Sequence, residues 1–157
     1  MNCSIARSLE VIGEWWTPLI LRDAMLGVTR FEDFQQRLGI ARNILSKRLD
    51  RLVAEGVLER RTYDEARGRH DYKLTEKGKD LWGVLVVLRQ WGDKWILGEG
   101  NESVLLEHRS CGERTTALLV CDHCGEQLDR REVRMIPGPG LTEDQRALIP
   151  AARRGTG

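Results

Sequence analysis

The sequence predicts a mainly α fold with one small β-hairpin, an α+β architecture, followed by a small β appendage. Three observations carry this expectation. From Arg42 to Glu55 the apolar residues Leu45, Leu49 and Leu52 recur at i, i+4 and i+7, the stripe of an amphipathic helix. Directly after it, VLERRTY and HDYKLT read as two strands around the turn-like EARGR, with Tyr72 and Leu74 alternating with Asp71 and Lys73. Further on, His108 with Cys111 and Cys121 with Cys124 form two turns of metal-ligand spacing.

The helix at 42–55 organises the rest. Its polar face carries Asn43, Ser46, Lys47 and Asp50, with Arg51 at the edge. Gly56 falls where a helix commonly ends in a left-handed residue. Upstream, FEDFQQRLG places Phe31, Phe34 and Leu38 on one face, and Gly39 closes that shorter helix. Two helices, a hairpin and a glycine-containing loop make a winged helix-turn-helix. Such a helix can enter the major groove of double-stranded DNA, where polar side chains meet base edges. Arg42, Asn43, Ser46 and Lys47 are expected to face bases or flanking phosphates. Arg48, Arg51, Arg67 and Arg69 are expected on phosphates or in the minor groove. The competing reading is an ordinary helical hairpin with a solvated charged face. The ordered set of elements favours DNA.

Composition allows this without announcing it. A chain of 157 residues with 41% apolar and 31% charged residues fits one folded domain plus an appendage. Net charge is only +1, but residues 42–70 hold eight cations against five acids, a modest basic patch. The apolar run from Leu81 to Leu88 is interrupted by Gly83 and too short to span a bilayer, and the N-terminus has no signal-peptide pattern. A cytoplasmic protein without a membrane partner is expected.

Taken in order, SIARSLEVIG puts Ile5, Leu9 and Ile12 on one helical face, with Ser4 as N-cap. WWTPLILRDAMLG offers Thr17 as the next N-cap and Pro18 at the first helical position. Leu19, Ile20, Leu21, Met25 and Leu26 should be mostly buried, with Trp15 and Trp16 as aromatic anchors. After the hairpin, Thr75 caps one long helix to residue 98. Its stripe of Leu81, Leu85, Leu88, Trp91 or Gly92, and Trp95, widened by Trp82, Val86 and Val87, exceeds what one small domain needs. An apolar patch of that size predicts a homodimer, paired through this helix and the first.

These pieces together resemble the HxlR family of bacterial winged-helix transcription regulators, relatives of the MarR type. The matching residues are Cys3 with Ala6, Arg7 and Leu9; VIG followed by Trp16, Thr17 and LILRD; RFEDF; the run from Gly39 to Leu52; GVLERR; Arg69 with Tyr72; and LTEKG. The resemblance covers residues 3 to about 97. It implies a dimeric DNA-binding repressor or activator, with a recognition helix at 42–55, a wing at 64–70 and dimer contacts from the first and last helices. Cys3-Ser4 stands where the family opens with Cys-Pro. Some relatives use the matching cysteine to sense quinones, aldehydes or oxidants, so the resemblance implies Cys3 as a redox sensor, with Arg7 to assist it. An inert thiol at the dimer interface is the alternative.

Residues 99–136 read as a zinc-ribbon-like hairpin. His108, Cys111, Cys121 and Cys124 would hold a structural zinc, each second cysteine being followed by glycine, with His123 a possible substitute for His108. TTALLV and QLDRREVRM supply its strands. A metal-free ribbon with reduced thiols is the competing reading. Four filled positions and no general base argue against catalysis, and the chain has no glycine-rich phosphate loop. From residue 137 proline, glycine and charge predict a disordered tail to 157. The expected organisation is therefore 1–98, 99–136 and 137–157. The expected function is a homodimeric transcription regulator, most simply a repressor, open to a small-molecule or oxidant effector. The alternative is a protein-interaction module that uses winged helix and ribbon to bind a protein.

Overall fold

The computed structural model describes residues 3–64 and 66–147. Four helices open the fold: α1 (Ser4–Ile12), α2 (Trp16–Met25), α3 (Phe31–Leu38) and α4 (Arg42–Ala54). An antiparallel hairpin follows, β1 (Leu58–Asp64) and β2 (Arg69–Leu74), pairing Leu58 with Leu74 and Arg60 with Tyr72. Next come α5 (Glu76–Lys79), α6 (Leu81–Gly92) and a π-helical turn, Asp93–Leu97. The remainder of the described residues holds a short hairpin of β3 (Leu106–His108) and β4 (Glu113–Thr115), and a short helix α7 (Glu143–Ala147). The expected winged helix-turn-helix is present.

The apolar stripes close one core. Phe34 from α3, Ile20 and Leu21 from α2, and Leu45, Leu49 and Leu52 from α4 are fully buried, joined by Val57 just before the hairpin and by Leu58 and Tyr72 within it. Each such side chain contributes roughly 1.5–3 kcal/mol of burial. Gly39 and Gly56 end α3 and α4 at φ +63 and +67, as the sequence predicts. The hairpin is anchored beyond its own strands. Arg30 bridges Asp71, and the Tyr72 N–H donates to the Thr29 carbonyl at 2.7 Å, so the chain before α3 acts as a third short strand.

Several local expectations change. Cys3, not Ser4, occupies the N-cap of α1. The second helix begins at Trp16, and Thr17 lies buried inside it rather than capping it. Trp15 is already helical in backbone, so Pro18 falls within the first turn, where its missing N–H is still one of the unbonded group. Trp15 is 78% exposed and Leu26 66% exposed, so neither anchors the core; Trp16 does pack against it. The long helix from Thr75 divides at Asp80 into α5 and α6. Its start is held down. The Thr75 hydroxyl accepts the Gly78 N–H (3.2 Å) and donates to the Gly56 carbonyl (2.6 Å), while Lys77 Nζ donates to the Glu55 carbonyl. A Cβ at Gly78 would stand 2.2 Å from the Val57 carbonyl oxygen, so α5 can lie this close to the hairpin only as glycine.

The appendage also departs from its expected strands. TTALLV contributes only Thr115 to β4, and QLDRREVRM meets it in a single bridge, Val120 to Gln127. The reason is a competing partner. Gln90 of α6 donates its side-chain amide to the Ala117 carbonyl (3.0 Å) and accepts the Ala117 N–H on its own oxygen. Arg89 donates to the Val104 carbonyl. Ala117 is thus held by a helix side chain instead of a neighbouring strand, while the Leu119 carbonyl accepts the Leu128 N–H (2.8 Å) beside the single bridge. Of the tail predicted from residue 137, the described part carries α7, and 148–157 lie outside the described residues.

Candidate nucleic-acid interface

The N-terminal half of α4, the start of α3 and the hairpin loop enclose a polar groove of about 350 Å³. Arg42, Ser46, Arg67 and Arg69 line it together with Arg60, His70 and Glu32. Helix α4 reaches the groove because Leu45, Leu49 and Leu52 bury its other side. Arg42 is steadied there by stacking over the Phe31 ring, 4.8 Å from its centroid. Ala41 offers no capping side chain; the Ile44 N–H is shared between the Ala41 carbonyl (3.0 Å) and the Asn43 Oδ1 (2.9 Å) in the first turn. Lys47 and Asn43 are exposed on the same helix.

The wing is shaped locally. Its Asp64 accepts the Arg67 N–H at 3.1 Å and Gly68 adopts φ +58, which turns the chain back so that Arg69 pairs with Asp64. Residue 65 of the predicted wing 64–70 lies outside the described residues. His70 Nδ1 lies 3.1 Å from the Thr62 hydroxyl, and burial pushes the Tyr72 phenol up from its ordinary range.

Two of the eight predicted side chains point elsewhere. Arg48 is 27% exposed and ion-paired with Glu14 at 2.9 Å, bracing α4 on the turn between α1 and α2. Arg51 pairs with Glu55 one turn on (2.7 Å) at the far end of the helix. Asp50 is drawn into a local set, accepting from Ser46 (3.4 Å) and Arg60 (3.5 Å). Arg30, which sequence reasoning passed over, stacks over Tyr63 at 5.3 Å beside the wing. Its position, a cation immediately before a predicted helix, was the available signal.

The thiols form two separate pairs. Cys111 Sγ lies 3.4 Å from His108 Nδ1, and the Cys111 and Gly112 amides both donate to the His108 carbonyl. The backbone N–H groups of Cys124 and His123, with the Cys124 thiol, hold the Cys121 thiol below its ordinary range. Among the described residues, no three of His, Cys, Asp or Glu are gathered into a cluster that could hold a metal ion, so the two turns do not converge as the predicted zinc site requires. Cys3 is half-buried at the start of α1, and Arg7 is committed to Glu10 at 3.0 Å. Among the described residues no helix is long and apolar enough to cross a membrane.

Residues 11–99 match the family described as HxlR-like helix-turn-helix. The chain is 46% identical over 138 residues to the HTH-type transcriptional regulator Rv3095 of Mycobacterium tuberculosis, covering 88% of this chain and 87% of that protein. That span is longer than the winged unit and so runs on into the appendage. The crystal structure of PA1607, described as a transcription factor, superposes with a TM-score of 0.75 at 40% identity, covering 85% of this chain and 94% of the other. The redox regulator HypR in its reduced form superposes at 0.54 with 27% identity, covering 57% and 90%. With an exposed α4, a basic wing and kinship along most of its length, the chain belongs to the HxlR-like helix-turn-helix family and is a DNA-binding transcription regulator.

Proposed function

We propose that the protein acts in the cytoplasm as a homodimer that seats two copies of α4 in successive major grooves of a twofold-related operator, most simply as a repressor. The groove that joins Arg42 and Ser46 of α4 to Arg67 and Arg69 of the wing carries this reading. Asn43 and Ser46 face base edges, and Arg42, Lys47, Arg67 and Arg69 neutralise phosphates. The exposed apolar side chains of α1 and of α6 onward support pairing with a second chain. Ile5 and Leu9 on the first, and Leu88, Trp91 and Trp95 on the second, are more than half exposed in the single chain. Anisotropy titration of the DNA upstream of the protein's own gene against a scrambled duplex tests it. Tight binding to the native fragment at two chains per site is expected; one chain per site would exclude the dimer. Kinship with a redox regulator supports Cys3 as an oxidant sensor. In the same titration diamide should release the parent protein and spare Cys3→Ser; equal release of both would exclude it.

The appendage takes a structural zinc on His108, Cys111, Cys121 and Cys124 in this reading. The donors suit zinc in kind, and both turns are preformed, so binding needs only the approach of one turn to the other. Metal analysis of the purified chain should find one zinc per chain, lost with chelation together with protection of the cysteines from alkylation. A metal-free chain with ordinary stability would rule the zinc out.

A further inference from the structure

A second cavity lies away from the DNA-facing groove, between α2, α6 and residues 103–106. It measures about 620 Å³, within the range that small-molecule sites occupy. Leu19, Trp82 and Leu85 form apolar walls, and Arg22, Arg37 and Arg89 stand around them; its lining contains no acidic side chain.

The charges there are incompletely neutralised. Asp23 is fully buried and serves both Arg22 (2.9 Å) and Arg37 (3.1 Å), so one carboxylate answers two guanidiniums. Both arginines remain about half exposed, at 53% and 51%, which leaves donors free on each. Arg89 pairs with Asp93 at 3.4 Å, but its Nε is buried without a hydrogen-bond partner. Three cations against two acids leave an excess positive charge on an apolar cavity. An apolar occupant would cover those donors without satisfying them, which is costly, and a neutral carbonyl would answer them without compensating their charge. A carboxylate would answer them with charge-assisted bonds, while an aromatic body stacks against Trp82.

We propose that this cavity binds an organic monoanion with an aromatic or branched hydrocarbon body, an amphipathic carboxylate. The site gives the expected effector a chemical class and a location apart from Cys3, which does not line it. It extends the regulator reading, but its test measures ligand binding without DNA, so its failure would leave the DNA reading standing.

Calorimetric titration of the full chain with 1-naphthoate and with its neutral amide, 1-naphthamide, decides it. Saturable binding of one naphthoate per chain is expected, about tenfold or more tighter than the amide. Trp82→Ala, at a half-exposed position, should weaken naphthoate by about tenfold. Arg22→Gln should erase the preference for acid over amide. Leu26→Glu, at an exposed position on the rim, provides a variant that leaves the core untouched and should repel naphthoate while sparing the amide. No saturation by either probe, equal affinity for both, or naphthoate affinity unchanged in Trp82→Ala and Leu26→Glu would overturn the proposal.

Discussion

Replacing Phe34 with alanine is expected to cost the protein about 3–5 kcal/mol, the range for emptying a large buried aromatic site. Phe34 is fully buried and sits on α3 among side chains of α2 and α4, at the centre of the unit that presents α4. Domains of this kind carry only about 5–15 kcal/mol in total, so the loss is a large share. The thermal midpoint should fall by at least about 10 °C, read by circular dichroism. DNA affinity should fall with it near the new midpoint and recover on cooling. A midpoint within a few degrees of the parent would show that the helices collapse into the space without strain.

The second large effect is on DNA binding. Lys47→Ala combined with Arg69→Ala removes one cation from α4 and one from the wing. Each lost phosphate contact lowers the slope of log affinity against log salt by about 0.9, so the double variant should lose nearly two units. Arg48→Ala is the contrasting case. Its guanidinium is paired with Glu14, so the salt slope should be kept while thermal stability drops slightly. A double variant with the parental slope, or an Arg48→Ala variant that loses a full unit, would reverse the assignment of these side chains.

What sequence could and could not deliver follows from the range of the interactions involved. The stripe Leu45, Leu49 and Leu52 and the stop at Gly56 are local features, and α4 ends within a residue of expectation. The wing was equally readable, since alternation and a glycine turn operate between neighbours. The ion pair of Arg48 was not legible, because helical periodicity places it beside the polar face and only the fold brings Glu14 to it. The pairing of Asp23 with Arg37 across fourteen residues was invisible for the same reason. Arg30 was overlooked because its stacking on Tyr63 joins the approach to α3 with the hairpin. In the appendage the cysteine spacing was legible and each turn formed, yet strand propensity misled between 115 and 120. There the Gln90 amide, contributed by a different element, satisfied the backbone that a strand would have used.

That amide grips Ala117 only by its main chain, offering one donor to its carbonyl and one acceptor to its N–H. Such a grip is blind to the side chain. Any residue except proline could stand at 117 and be held equally well, whereas Gln90 could be exchanged only for a group with the same reach and both polar atoms. At this point the appendage can change its side chain while its seat on α6 is kept, since both Gln90 at Ala117 and Arg89 at Val104 hold it by main-chain groups.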